Sequence, residues 1–255
     1  MNSTRAVGTS LRVPSLAMAC WLLLPTSLVL LPSANTAGAA CSVRVCSAAE
    51  LHDYNAPIFA PLGRLVANTH FAWCGATVRG AIAGQASDGL VDSFAGDSRR
   101  VEGAVGRSAL LVAEDEAGAL IGCCGVQALA LTHDGRGERM QRELSSAQRA
   151  TMRMRPLLSS LAVAPEYRRR GVATALMALG EQLVEAWGYD ELLLLVGEAN
   201  SAARSFYCAL GYEVVGEPLE GERPAEMQLA VELLGLRSSV RWVRSMNLCL
   251  RRSLR

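Results

Sequence analysis

The stretch from Leu157 to Gly216 constrains this chain of 255 residues more than any other part of it. Leu157 to Val163 is an apolar run of strand length, broken by Pro165-Glu166-Tyr167-Arg168-Arg169-Arg170-Gly171. Apolar residues then recur at helical spacing from Val172 to Trp187. Leu192 to Val196, four Leu closed by Val, has the unbroken hydrophobicity of a strand buried on both faces. Asn200 opens a further helix, Ser201 to Leu210, which carries Tyr207 and stops at Gly211-Tyr212. Two strands joined by one helix run parallel with a right-handed crossover, so 157–163 and 192–196 are expected side by side.

The first strand-to-helix junction carries chemistry. A helix start leaves backbone N–H groups unpaired, and the helix dipole adds partial positive charge there. Arg168-x-x-Gly171-x-Ala173 puts small residues at that point, so phosphate oxygens can approach the backbone. Arg168, Arg169 and Arg170 add charge-assisted contacts. Each feature also has a plainer reading. An Arg run can simply be solvated, Asn200 is a good N-cap, Tyr207 could be a core aromatic and Gly211 an ordinary helix terminator. The two motifs in this order, each on its own element, favour a ligand.

Together these residues resemble the acyl-CoA-binding half of the GNAT acetyltransferase superfamily, with useful motifs over residues 108–233. The resemblance implies a mixed α/β fold whose central mixed sheet of about six to seven strands is flanked by helices. The parallel strands would splay around the CoA site. Acetyl-CoA would be the co-substrate, and no metal is implied. Leu161, Ala162 and Val163 would hydrogen-bond the pantetheine arm through their backbone. Arg168, Arg169, Arg170, Gly171, Val172, Ala173 and Thr174 would hold the pyrophosphate, and Asn200 would contact the cofactor from the other strand. Tyr207 would protonate the departing thiolate, since a phenol near pKa ~10 can protonate or hydrogen-bond a thiolate whose thiol is near ~8.5.

One position departs from the family pattern. Many members carry an acid just before the cofactor-binding strand residues, where this chain has Ser159-Ser160. A hydroxyl is a poor base at neutral pH, so the base lies elsewhere, is a water chain, or is unnecessary. Glu114 and Glu116 are the carboxylates to consider. Neutralising a Lys side chain at pH 7 costs about 4.6 kcal/mol and an α-amine about 1.4 kcal/mol. Without a strong base, protein or peptide N-termini and activated small amines are easier acceptors than Lys.

The remainder of the chain divides into three parts: a presequence over 1–40, a domain over 41–234 and a tail over 235–255. Arg5 and Arg12 precede an apolar run, Leu16 to Leu31, and Ala37-Gly38-Ala39 offers a small-residue cleavage site. These are the parts of a secretory signal peptide; an uncleaved anchor and an organelle transit peptide are the alternatives. Acetyl-CoA is plentiful in plastid stroma and scarce outside the cell, which favours a plastid over the ER or the exterior. In the tail, Leu236, Val240, Val243, Leu250 and Leu254 share a helical face beside six Arg. Two readings stand: a helix packed on its own domain, or a basic amphipathic helix on a membrane or acidic partner.

Within the domain, Val43 to Val45 is expected as a strand, and 48–107 reads as helical and irregular. Ala109 to Ala113 and Ala119 to Leu131 form a hairpin. Residues 133–155 are a polar insertion, with a helix around Met140 to Met152, and strands at 213–215 and 227–233 close the sheet. The basic residues are all Arg, and residues 41–232 carry 17 of them against all 24 acids, a net charge of −7. That balance suits cationic amine partners and not nucleic acid. The eight Cys include no CxxC pair and no His at ligand spacing, so zinc is not expected. Adjacent Cys123 and Cys124 should point to opposite faces of a buried strand. The reading is an acetyl-CoA-dependent N-acetyltransferase acting on a protein or peptide amine by direct attack in a ternary complex. A small-molecule amine acetyltransferase and a non-catalytic acyl-CoA-binding module are the alternatives.

Overall fold

The computed structural model describes residues 41–52, 56–71, 74–95, 100–101, 104–105, 107–137, 145–232 and 235–255. The presequence over 1–40 lies outside them. In chain order the elements are β1 Cys41–Val45, α1 Phe59–His70, α2 Ala76–Phe94, β2 Arg100–Val101, β3 Ala104–Val105, β4 Ser108–Asp115 and β5 Leu120–Leu131. There follow α3 Ser146–Ala150, β6 Arg153–Val163, α4 Val172–Ala186, β7 Glu191–Gly197, α5 Ser201–Ala209, β8 Glu213–Glu232 and β9 Gly235–Ser253. Seven strands form one mixed sheet in the order β1-β4-β5-β6-β7-β9-β8, while β2 and β3 pair with each other. This is the mixed, helix-flanked sheet that the sequence predicts.

Strand alternation divides the core into two layers. Ala109, Leu111, Ala113, Cys124 and Val126 face α4 in one cluster, together with Leu192, Leu194 and Val196 of β7. Leu110, Val112 and Cys123 face the opposite way, into a cluster with Phe59, Leu62 and Val66 of α1 and Leu90 and Phe94 of α2. Cys123 and Cys124 therefore serve different faces, both fully buried, as a pleated strand demands. At Gly125 the Phe94 ring of α2 lies against the sheet. A Cβ there would lie 2.3 Å from Cζ of Phe94, so no larger residue fits without displacing that ring.

β6 pairs antiparallel with β5 along most of its length, but with β7 only at Leu157↔Leu193 and Leu158↔Leu194. Beyond Leu158 the two parallel strands separate. The register of β5 and β6 shifts between Cys123 and Gly125, and Ser160 opposite has a left-handed φ of 55°. Such a bulge bends a strand and increases its local twist. The free edge of β6 therefore begins where pairing with β7 ends, and the expected splay between the parallel strands is present.

Three expectations are corrected. The tail is not a helix: Gly235–Ser253 is strand β9, and its end is inserted between β7 and β8, with Leu194↔Leu250 and Val214↔Leu250 as register partners. Leu248, Cys249 and Leu250 are all buried, three in a row, as in a strand covered on both faces. Arg252 bonds Glu181 at 2.8 Å and Arg255 lies 3.3 Å from Asp190, so these tail cations pair within the fold. The amphipathic-helix basis for a membrane contact is thereby gone. In the 133–155 insertion the helix spans only Ser146–Ala150, started by a Ser145/Gln148 capping box; residues 138–144 lie outside the described residues. The strands expected at 213–215 and 227–233 are parts of the single strand β8.

Candidate functional site

After β6, Pro165–Tyr167 forms a 3-10 turn, and the chain then passes through two left-handed residues, Arg169 at φ 60° and Gly171 at φ 84°. Gly171 is the N-cap of α4 with no side-chain cap, so the first N–H groups of the helix are left for something outside it. Alternation of right- and left-handed residues turns successive N–H groups into one concavity, which suits an anion. At Gly171 a side chain would both strain the backbone and fill that concavity.

The three arginines of the turn do different things. Arg168 donates from Nε to the Val163 carbonyl at 3.3 Å and from Nη2 to the Thr69 carbonyl at 3.4 Å, bracing the end of β6 against the end of α1. Thr69 completes the brace, its Oγ1 donating to the same Val163 carbonyl at 3.1 Å. Arg170 stacks on the ring of Tyr167 at 5.5 Å, and the Tyr167 hydroxyl donates to Asp115 at 2.8 Å. These contacts anchor the turn to the β4–β5 hairpin. Arg169 turns toward the cleft.

That cleft, about 670 Å³, is lined by Val163, Tyr167, Arg168, Arg169, Gly171, Val172, Ala173, Thr174, Ala202, Ser205 and Phe206. Seven of the site residues predicted from sequence are among them: Val163, Arg168, Arg169, Gly171, Val172, Ala173 and Thr174. Leu161, Ala162, Arg170, Asn200 and Tyr207 are not. Ala162 is buried opposite Cys123, and Leu161 packs on the α4-side core. The Asn200 side chain accepts from Ala203 N at 3.1 Å as the N-cap of α5. Sequence reasoning missed Tyr167, Ala202, Ser205 and Phe206. The last three recur at i, i+3 and i+4 on one face of α5, a signal hidden by attention to Tyr207.

Tyr207 points inward, only 8% exposed, with its ring 6.0 Å from that of Tyr212 and 5.3 Å from that of Phe206. Burial, and then the neighbouring Cys124 thiol, push its pKa up to about 12. Tyr212 is held by its bond to Glu181 at 2.9 Å, with its acidity suppressed first by burial and then by that carboxylate. Neither hairpin carboxylate stands free as a base. Glu114 accepts from Arg44 at 2.7 and 3.2 Å, in a network with Glu50, and Glu116 is exposed in the turn.

His70 occupies a different position. It ends α1 beside the bulge of β6, with its ring bonded to the Leu161 carbonyl. Its pKa is lowered chiefly by desolvation; the Leu161 bond opposes this and the Arg168 charge reinforces it. The residue is nevertheless exposed.

Residues 106–214 match the family model described as an acetyltransferase (GNAT) domain. Among solved structures, the chain is similar to PaiA N-acetyltransferase from Thermoplasma acidophilum in complex with coenzyme A, at 14% identity over 84% of this chain and 99% of that one, with a TM-score of 0.48. It is similar also to YncA from Salmonella typhimurium with its cofactor acetyl-CoA, at 18% identity over 85% and 95%, with a TM-score of 0.43. Nourseothricin acetyltransferase is 22% identical over 58% of this chain, which spans 66% of that protein, with a TM-score of 0.36. No curated protein matches the chain in sequence.

Proposed function

Taking residues 106–214 as a GNAT acetyltransferase domain, we propose that the chain is an N-acetyltransferase that moves an acetyl group from acetyl-CoA to a primary amine by direct attack in a ternary complex. The observation that carries this is the parting of β6 from β7 after Leu158, which opens a backbone edge ending at the left-handed Arg169–Gly171 turn. One ligand with a strand-like amide arm and a pyrophosphate would use both features. When bound, acetyl-CoA supplies a thioester-activated acyl group. The chain's residues do the rest. The β6 edge beyond Leu158 aligns the arm through those backbone groups that are not already bonded, the Val163 carbonyl being taken by Thr69 and Arg168, and the α4 N-terminus with Arg168 and Arg169 holds the pyrophosphate.

The role of Tyr207 follows from its acidity. With a pKa of about 12 it stays protonated throughout the neutral range. Full proton transfer from so weak an acid to a thiolate whose thiol is near ~8.5 runs uphill, so the hydroxyl serves at most as a hydrogen-bond donor and the proton comes finally from solvent. The acceptor is a low-pKa amine, an α-amine in preference to Lys, drawn in by the net negative charge of residues 41–232.

A single assay addresses the alternatives. Acetyl-CoA turnover, read as free thiol, is followed with a panel of peptides bearing one free α-amine or one free Lys and with small amines. Transfer to an α-amine peptide supports the proposal, transfer to small amines alone supports the small-molecule reading, and CoA binding without transfer marks a binding module. In the same assay Tyr207→Phe should lower kcat about 10- to 100-fold with CoA affinity unchanged.

A further inference from the structure

Resting on that reading, we propose that Phe206 is the platform on which the adenine ring of the donor stacks, and that it makes the chain select a nucleotide-borne thioester over one carried on a protein. The two walls of the cleft differ. One is the anion turn with the first residues of α4, and the other is the α5 face of Ala202, Ser205 and Phe206. That second wall holds a methyl, a hydroxyl and one aromatic ring, with no cation and no carboxylate among its lining residues. It adds nothing to the grip on a pyrophosphate. It suits a flat, uncharged group joined to the pyrophosphate, which in the donor is the adenine of the nucleotide half. The arm is directed elsewhere, toward β6, whose Val163 is the residue of that strand that lines the cleft.

The surroundings of Phe206 fit a stacking role. It is half-buried and packs on the α4-side core, which holds the ring in place. Ala202 and Ser205, its neighbours on the same helix face, are short and exposed, so they do not cover it. The Tyr207 ring meets it at 5.3 Å with the planes tilted by 57°, so the two rings are not stacked on each other. Tyr167, the other aromatic of the cleft, is already engaged: Arg170 lies over its ring at 5.5 Å, and its hydroxyl is bonded to Asp115. A ring fixed by packing loses little freedom when a base lies on it, and such a stack is worth about tenfold or more in affinity. A thioester carried on a protein brings an arm and one phosphate but no base. Phe206 therefore favours one class of donor and gives nothing to the other.

The two halves of the donor, each used alone, test this without any acceptor. By calorimetry Phe206→Ala should weaken CoA and ADP about 10-fold each and leave phosphopantetheine, which has the arm and a phosphate but no base, unchanged. Phe206→Leu and Phe206→Trp guard against a misfolded variant. Leu keeps an apolar side chain without the π-face and should lose about 3-fold in ADP affinity, whereas Trp should bind ADP at least as tightly as wild type. In turnover with a primary amine, the preference of wild type for acetyl-CoA over acetyl-phosphopantetheine should shrink about 10-fold in Phe206→Ala, through KM and not kcat. Equal losses for ADP and phosphopantetheine would overturn the proposal and make Phe206 part of the arm site or of the fold. Unchanged ADP affinity in a folded Phe206→Ala variant would overturn it too, with CoA binding elsewhere in the cleft intact. Wild type with no affinity for CoA would instead overturn the proposed function.

Discussion

The two wings of the sheet are made in different ways, and the candidate site lies where they meet. The β1-β4-β5-β6 wing is antiparallel throughout, covered on one face by α1 and α2, and its neighbours include the β4–β5 hairpin. The β7-β9-β8 wing places the last strand in the sequence second in space. Between them β6 and β7 share two residue pairs. A seam so short would be a defect if the sheet had only to be stable. Here it is the feature that frees a backbone edge and opens a cleft at the start of α4.

The largest expected effect breaks the outer wing. A chain ending at Ser245 loses Asn247 to Ser253, every residue of β9 that pairs with β7. It should show no cooperative urea transition by circular dichroism. A shortened chain that melts like the full one would restore the tail to the status of a dispensable appendage.

The seam is probed next. Gly171→Asp places a side chain at φ 84° and a carboxylate where the pyrophosphate is proposed to sit. CoA affinity by calorimetry should fall at least tenfold, about 1.4 kcal/mol, beyond a backbone strain of about 1–2 kcal/mol on stability. Wild-type affinity in a folded variant would move the anion site away from this turn.

The smallest effect belongs to the inner wing's edge. Arg44 of β1 joins Glu50 at 2.8 Å and Glu114 of β4 at 2.7 Å, and the Arg44 bond is the main reason that Glu50's pKa falls to about 2. A depressed carboxylate stabilises the fold above its ordinary range near ~4.3 and stops doing so as pH falls through about 2. The pair is partly exposed, so Glu50→Gln should cost at most about 1 kcal/mol at pH 7. The gap between the urea midpoints of wild type and variant should close as pH falls from about 4.5 toward 2. A gap that stays constant with pH would mean that packing, and not charge, joins β1 to the wing.

Much of the seam was legible from residues alone, because local rules write it: Gly171 at a helix start, Pro165 after a strand, four Leu in a row. The tail was not. Leu236, Val240, Val243, Leu250 and Leu254 satisfy a helical period, and only β7 and β8 on either side make a strand of Leu248, Cys249 and Leu250. Phe206 displaced Tyr207 from the cleft wall by one position, the difference between two neighbouring faces of α5.

The insertion of β9 beside β7 has a consequence for how the chain reaches this state. Leu192 to Leu195 form an uncharged, strongly apolar window, and in the finished sheet both edges of β7 have neighbours. Before the β8–β9 hairpin docks, the edge that meets Leu248, Cys249 and Leu250 stands open. Closing it requires a contact between distant parts of the sequence, which is slow relative to forming the β4–β5 hairpin. During that interval the same four leucines that bury the centre of the native sheet are a template for pairing with another copy, so the yield of folded protein should depend on chain concentration.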